Sequence, residues 1–473
     1  MDITGFSYLL FFMVVLAVHW LLEGRHTAQK ILLIIASYYF YMTVDWRFAG
    51  LLIAFTIINF IAGQLIAVRL NHAQQRLAMA AAIIGSLGIL FYFKYLNFFA
   101  GMVNALSQWL GSSSLVPLVE VILPIGISFM TFQAITYPID LYLGRLKKPC
   151  NLLDFTLFMA FFPRLLSGPI VRASYFLPQL QQKPPLVTAD ERFAGLALIL
   201  RGLIKKVVIA DTLGVHLVDP AFANPTAFSA AFLWIAMFSY SFQVYLDLSG
   251  YTDMAIGAAR MMGYRLPTNF NRPYLATSIA NFWQRWHITM SSFFRDYLYH
   301  GLSSSWNAPV YINLLIVFVA IGLWHGAGWN FVVYGCIHGS LVALEHYRNA
   351  RRAQTGLAAL VDRGGALAFQ IGVVFSIVAL TRLLFRGEDL AVAAKYISAM
   401  LHISGGNFPL SLIGAMALIA AALLHFTPVH WRNELMVFIS SRPAWLFAVM
   451  FATTVYLVIG FTYGRGGFIY FQF

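Results

Sequence analysis

Charge is what this chain has least of. Only 10% of its 473 residues are Asp, Glu, Lys or Arg, against about a quarter in an ordinary soluble domain. So few charges cannot coat a water-facing surface, which excludes a conventional soluble enzyme. Acidic residues are scarcest, 18 against 31 Lys and Arg, giving a net charge of +13. In an apolar chain this surplus is the signature of cytoplasmic loops and anionic head groups, with no nucleic acid implied. Cysteine is nearly missing: Cys150 and Cys336 are the only two, so there is no disulfide framework and no Cys-x-x-Cys pair. His-Glu-x-x-His is absent, His325 and His338 are too far apart for one helical turn, and no metal site is expected. The Gly-x-Ser-x-Gly elbow of serine hydrolases is absent too.

What remains is hydrophobic. Such residues make up 60% of the chain, and the mean hydropathy is +0.74. Apolar runs of spanning length recur from end to end without strand-like alternation. They predict an all-α polytopic membrane protein, one integral-membrane domain over 1–473, with about 11–12 transmembrane or re-entrant helices. Spans are expected near 6–22 (a first span or signal anchor), 31–44, 48–68, 77–93, 95–110, 116–142, 228–257, 310–323, 366–384, 410–424 and 444–462. The segment 155–171 holds Pro163-Arg164 and Ser167-Gly168-Pro169 and should be broken. Lys183-Pro184-Pro185 opens the most polar linker, and Arg192, Arg201, Lys205 and Lys206 follow on a helix expected partly at the interface. Basic residues at 23–30, 69–77, 145–148 and 348–363 predict cytoplasmic loops and an extracytoplasmic N-terminus.

Polar residues inside apolar segments are costly and mark function. Gln243 and Asp247, four apart, share a helical face and should look into a polar interior. Trp283, His287 and Ser291 would form one stripe of a continuous helix. A neutral imidazole can take a proton from a hydroxyl and return it to a leaving group; a buried, hydrogen-bonded structural histidine is the alternative. His325 lies in Gly322-Leu-Trp-His-Gly326 and His338 in Gly335-Cys-Ile-His-Gly339, both small-xxx-small frames that let helices approach. His338 and His346 read as structural. The density of Arg260, Arg265, Arg272, Arg285 and Arg295 places that stretch at an interface or in a wet cavity.

Dispersed motifs then converge. They are Ser128-Phe-Met-Thr-Phe-Gln133 with Tyr137 and Asp140, Phe161-Phe-Pro-Arg164, Ser167-Gly-Pro-Ile170, and Lys205-Lys-Val-Val-Ile-Ala-Asp211. To these add Tyr245-Leu-Asp-Leu-Ser-Gly-Tyr-Thr-Asp-Met-Ala-Ile-Gly257, Asn269-Phe-Asn-Arg-Pro-Tyr274, Phe282-Trp-Gln-Arg-Trp-His287, Arg295-Asp-Tyr-Leu-Tyr299, Gly322-Leu-Trp-His-Gly-Ala327 and Phe468-Ile-Tyr-Phe-Gln-Phe473. Together they resemble the membrane-bound O-acyltransferases, in the bacterial branch of alginate O-acetylation and teichoic-acid D-alanylation proteins. The resemblance implies a ring of tilted helices around a central tunnel, with His325 catalytic and His287 the second active-site histidine. It departs at Asn281, where the family commonly has an acid, and after Tyr299, where the connection is short.

By that resemblance the chain should pass an acyl group, acetyl first among candidates, from a cytoplasmic thioester to an extracytoplasmic polysaccharide. No permanently bound cofactor is implied. The donor would be acetyl-CoA or an acyl carrier thioester, with Arg285 and Arg295 holding donor phosphates. Gln243, Asp247, Trp324 and Asn330 would line the polar path. An extracytoplasmic SGNH-type acetyltransferase or esterase is the implied partner, and the cytoplasmic (inner) membrane the location. D-alanyl transfer from a carrier protein to teichoic acid, acylation of a lipid or protein, and a non-enzymatic transporter subunit remain open at this point.

Overall fold

Backbone polar groups in lipid must find partners within the protein, and a helix does so within one segment. The computed structural model describes residues 3–68, 71–183, 186–306, 308–355, 364–387, 389–402, 405–428, 430, 431, 434 and 444–462. Among these the elements are helical, and the one strand-like feature is an isolated bridge between Phe228 and Asn407. Contacts divide the chain into two compact units, Met1–Ile199 with Met254–Pro267, and Leu200–Asp253 with Thr268–Phe473.

The first unit opens with α1 (Phe6–Leu21), α2 (His26–Met42) and α3 (Phe48–Ala67). Next come α4 (His72–Leu90), a π turn and α5 (Leu96–Trp109), then α6 (Ile127–Tyr142), α7 (Leu152–Ala160) and α8 (Ala173–Gln181). The spans expected at 77–93 and 95–110 are one helical run of 38 residues. The span expected from 116 begins only at Ile127. Pro124 cannot donate a helical hydrogen bond, and Gly126 turns the chain with φ +78°. Upstream, Asn97 and Asn104 bind the backbone of Val119 and Val116 with side-chain bonds of 2.8–3.0 Å.

The break expected within 155–171 is present: α7 gives way to a 3-10 turn at Phe162–Arg164, and α8 starts at Ala173. Arg164 is buried, bonded to Gln133 and to the Phe158 carbonyl, between the rings of Phe158 and Phe176. Lys30, counted above among orienting loop charges, instead lies inside α2 and pairs with buried Asp154 at 2.5 Å.

Helix α9 (Ala189–Leu203) begins in the first unit and continues as a π segment (Ile204–Ala210) into α10 (Asp211–Leu213). A second π segment and α11 (Asp219–Ala223) lead to α12 (Ala230–Met261). Lys205 and Lys206 do not face outward from this run. Both are buried, Lys205 on Asp253 at 2.7 Å and Lys206 on Asp247 at 2.6 Å and Asp211 at 2.9 Å. The aspartates left them no choice: a carboxylate in an apolar helix needs a partner, and the nearest bases are on the preceding segment. Of the polar linker, Pro184 and Pro185 lie outside the described residues.

The second unit continues through α13 (Ile279–Arg285), α14 (Ile288–Phe293), α15 (His300–Ser305), α16 (Val310–His325) and α17 (Trp329–Gln354). It ends with α18 (Gly365–Arg386), α19 (Leu390–Leu401), α20 (Leu412–Phe426) and α21 (Ala444–Thr462). The loop expected at 348–363 is helical up to Gln354, and Arg363 lies outside the described residues, as do Arg69 and Phe468–Phe473. Phe48–Ala67, His72–Trp109, Ala230–Met261 and Gly365–Arg386 are long and apolar enough to cross a membrane, and four shorter apolar helices join them. The chain is an all-α, multi-pass membrane protein.

Close approach of α16 and α17 rests on the two glycine frames. A Cβ at Gly335 would sit 2.7 Å from the Val319 Cα, and one at Gly339 3.2 Å from the Leu315 Cα. Gly335→Leu should therefore force the pair apart, at a cost of about 1–3 kcal/mol. Thermal unfolding in detergent should show a loss of several degrees; an unchanged midpoint would show that the glycine frame does not govern the packing.

Candidate functional site

His287 sits at a corner, not on a helical stripe. Helix α13 is capped by Ser278, whose Oγ accepts the Asn281 N–H at 3.1 Å. The chain then leaves the helix, and His287 adopts φ 43°, ψ 52° before α14 begins. A non-glycine residue there costs roughly 1–3 kcal/mol unless its surroundings hold it. Asn269 does the holding. Its carbonyl accepts the Ile288 N–H at 2.8 Å, and its Oδ1 accepts the Thr289 N–H at 3.1 Å and hydroxyl at 2.8 Å. The Arg285 carbonyl, which a continuous helix would give to Thr289, accepts the Asn271 N–H at 2.9 Å. The expected stripe of Trp283, His287 and Ser291 fails because Asn269 and Asn271 take over the helix's own hydrogen bonds.

His325 occupies the last turn of α16, just before the Gly326–Gly328 link to α17. Trp324 joins the two histidines. Its ring is edge-on to His287 at 5.5 Å and to His325 at 4.8 Å. Phe385 lies 4.7 Å from the His325 ring and Tyr334 6.2 Å. Exposure is 1% for His287, 6% for His325 and 2% for Trp324, so all three are shielded from bulk water. The structure thus brings together three of the residues singled out in the sequence.

Others serve elsewhere. The Asn330 amide donates to the carbonyls of Leu384 and Gly387 at 2.9 and 3.1 Å, capping the end of α18. Asp247 holds Lys206 in the ion pair above. Gln243 is buried on the same face of α12, and its Oε1 has no hydrogen-bond partner among the described residues. His338 accepts the Trp283 indole N–H on Nδ1 at 3.3 Å. Its Nε2 must then carry the proton and donate to Thr381 at 3.0 Å, whose hydroxyl donates to the Val378 carbonyl. That chain fixes the tautomer of a structural histidine.

Arg285 bonds the Asn281 side chain at 2.9 Å, so the residue standing in place of an acid still engages it. Arg295 makes a two-point pair with Asp296 at 2.7 and 3.4 Å. With Trp283, Gln284, Ser291, Ser292 and Tyr299 it lines a crevice of about 360 Å³, walled on the α16 side by apolar Val317 and Phe318. Arg260 and Arg265 belong to the first unit, where both pair with Glu191 and hold its carboxyl below the usual range.

One residue absent from the sequence-derived set is central. Arg382 of α18 is 3% exposed. It bonds the Ser241 carbonyl at 2.9 Å and the Tyr274 hydroxyl, and it stacks 4.0 Å over Trp286, the neighbour of His287. Nothing next to it in the sequence marks it for burial, which follows from partners more than 90 residues away. No group of three or more His, Cys, Asp or Glu suited to a metal occurs among the described residues.

A family model described as MBOAT, membrane-bound O-acyltransferase family, matches residues 107–379. A probable alginate O-acetylase of Azotobacter vinelandii is 37% identical over 409 residues, 85% of this chain and 78% of its own length. A peptidoglycan O-acetyltransferase of Helicobacter pylori is 35% identical over 80% of this chain and 74% of its own. A teichoic acid D-alanyltransferase of Streptococcus thermophilus is 30% identical over 56% of this chain and 68% of its own.

The hydrogen-bond chain through His338 gives a test. His338→Ala strands the Trp283 indole N–H and the Thr381 hydroxyl, a cost of about 1–3 kcal/mol for each group left buried and unpaired. The unfolding midpoint should fall by several degrees, whereas His325→Ala should leave it near that of the unsubstituted protein. Equal midpoints for His338→Ala and the parent would remove the structural role.

Proposed function

The chain belongs to the membrane-bound O-acyltransferase family, and from that premise we propose that it carries an acetyl group from a cytoplasmic thioester to a hydroxyl of an extracytoplasmic polysaccharide. The observation that carries this reading is the pair of shielded imidazoles, His287 and His325, set about Trp324. His325 acts as general base. As the acceptor hydroxyl oxygen attacks the acyl carbon, its proton passes to the imidazole. The C–S bond then breaks, and the imidazolium returns the proton to the departing thiolate. His287, fixed at its corner by Asn269, stabilises the developing oxyanion. Trp324 keeps the two rings apart and excludes water; Gln243 adds a polar group to the same unit's interior.

Acetyl-CoA or an acyl carrier thioester supplies the acyl group, and no cofactor is held permanently. The crevice beside Arg295 is the donor site we favour, because it joins a cationic rim to an apolar wall, as a phosphate-bearing thioester requires. Arg285 contributes from the neighbouring turn. The protein would sit in the cytoplasmic (inner) membrane with its N-terminus outside and work with an extracytoplasmic SGNH-type acetyltransferase or esterase. The polysaccharide assignment is supported by two relatives whose names specify alginate and peptidoglycan. D-alanyl transfer is the second reading, favoured by the Streptococcus relative, which aligns over a smaller share of the chain.

Two experiments test the reading. His325→Ala should keep membrane abundance and thermal stability but lower ester formation about 10²-fold or more; normal acylation by that variant would falsify the mechanism. Arg295→Ala should raise the KM for acetyl-CoA more than it lowers kcat. An unchanged KM with a lowered unfolding midpoint would instead make Arg295 an anchor for Asp296.

A further inference from the structure

Glycine within a helix costs about 1 kcal/mol relative to alanine and is kept where something must come close. In the first unit, a Cβ built at Gly50 of α3 or at Gly88 of α4 would meet nothing within 4 Å. No atom among the described residues uses the room these glycines leave. With Ala54 and Gly85 they floor a groove of about 840 Å³, walled by Leu51, Ile89 and Ile122. The helical run that forms one side is only 22% buried over its most apolar window, so the groove opens where the bilayer must be.

The groove's rim is charged and aromatic. Phe48 and Tyr92 stand there with Arg47 and Glu120, the mixture that membrane interfaces favour. Asp45 orients the Arg47 guanidinium by accepting from Nε at 3.0 Å and Nη2 at 2.5 Å. That bond holds the Asp45 carboxyl below its ordinary range. Arg47 Nη1 makes no hydrogen bond among the described residues, and Glu120 is exposed without an ion-pair partner among them. Arg47, already paired with Asp45, and Glu120 are thus the charges at this groove, and the three sum to one negative. A head group bearing phosphate alone meets more repulsion than attraction, whereas one bearing both phosphate and ammonium complements all three charges.

We infer that this groove binds one phospholipid with an amine-bearing zwitterionic head group, phosphatidylethanolamine in chemical class. The phosphate meets Arg47, the ammonium meets Glu120, and an acyl chain lies over Gly50, Ala54, Gly85 and Gly88. The inference is independent of the acyl-transfer reading, because none of these residues belongs to the histidine centre.

The test uses full-length protein in nanodiscs of equimolar phosphatidylethanolamine and phosphatidylglycerol, with retained lipid identified by mass spectrometry after gentle detergent extraction. The parent should retain phosphatidylethanolamine about two- to fivefold over phosphatidylglycerol, the range an exposed ion pair supports. Glu120→Lys, on an exposed loop, should reverse that preference. Gly88→Phe projects into open space and should expel the lipid with the unfolding midpoint nearly unchanged. An unaltered preference in Glu120→Lys would overturn the inference, and so would undiminished retention in Gly88→Phe. A change in oligomeric mass in place of lipid loss would assign the groove to a protein partner and overturn it as well.

Discussion

A guanidinium buried in an apolar core is the constraint around which the second unit is arranged. A guanidinium is a full positive charge, and leaving it uncompensated in an apolar core would cost several kcal/mol. What it finds is not a carboxylate but the Ser241 carbonyl, the Tyr274 hydroxyl and the faces of Trp286, Tyr274 and Phe282. The partners lie on three segments: α12, the 3-10 turn at Pro273–Leu275, and α13 with its corner. One charge therefore ties four pieces of chain together. Because Trp286 directly precedes His287, the position of a histidine follows from how a neighbouring arginine is solvated.

The same logic governs the other buried charges. Asp247 and Asp253 on α12 are matched by Lys206, Lys205 and Arg201 on the preceding helical run. Removing one member of such a pair strands its partner, which typically costs about 3–5 kcal/mol, although a well-packed apolar pair could be as stable. What the pairs supply is register. The α9 run passes through two π segments before α12 begins, and π-type turns tolerate sliding. The Lys–Asp pairs fix which turn faces which, and Gly250, whose Cβ would meet the Gly202 carbonyl at 2.8 Å, allows the backbones to close on them.

Much of the helical layout was legible because apolar length and glycine spacing are local signals. Spans at 6–22, 48–68 and 366–384, the break near Pro163 and the glycine frames around His325 and His338 all follow from residues adjacent in sequence. The failures have a common cause: a long-range partner overrode the local pattern. Asn269 and Asn271 broke what reads as one helix through His287, and aspartates on α12 drew Lys205 and Lys206 inward. Asp154 buried Lys30, which simple charge counting assigns to a loop. Arg382 went unnoticed because nothing within a helical turn of it hints at burial, and Asn330 looked like a lining residue because its two carbonyl acceptors lie 54 and 57 positions away.

Burial also bears on why such a centre would transfer an acyl group and not hydrolyse it. Water is a competent nucleophile and, where it reaches a general base, is present in vast excess over any sugar hydroxyl. In the reaction proposed above, selectivity must come from keeping water away from His325 until the acceptor arrives. His325 ends its helix against Trp324, Phe385 and Tyr334, and His287 turns its corner against Trp324 and Phe270. Both imidazoles stand where helices end, so the backbone can change direction and bring them to one aromatic ring without either lying on a lipid-facing stripe. A straight helix through residue 287 would have presented the histidine on one fixed face, with its helical hydrogen bonds satisfied and no partner such as Asn269 to set the angle. The positive φ at His287, held by Asn269, is what lets it reach, in a buried space, the same Trp324 ring that packs against His325.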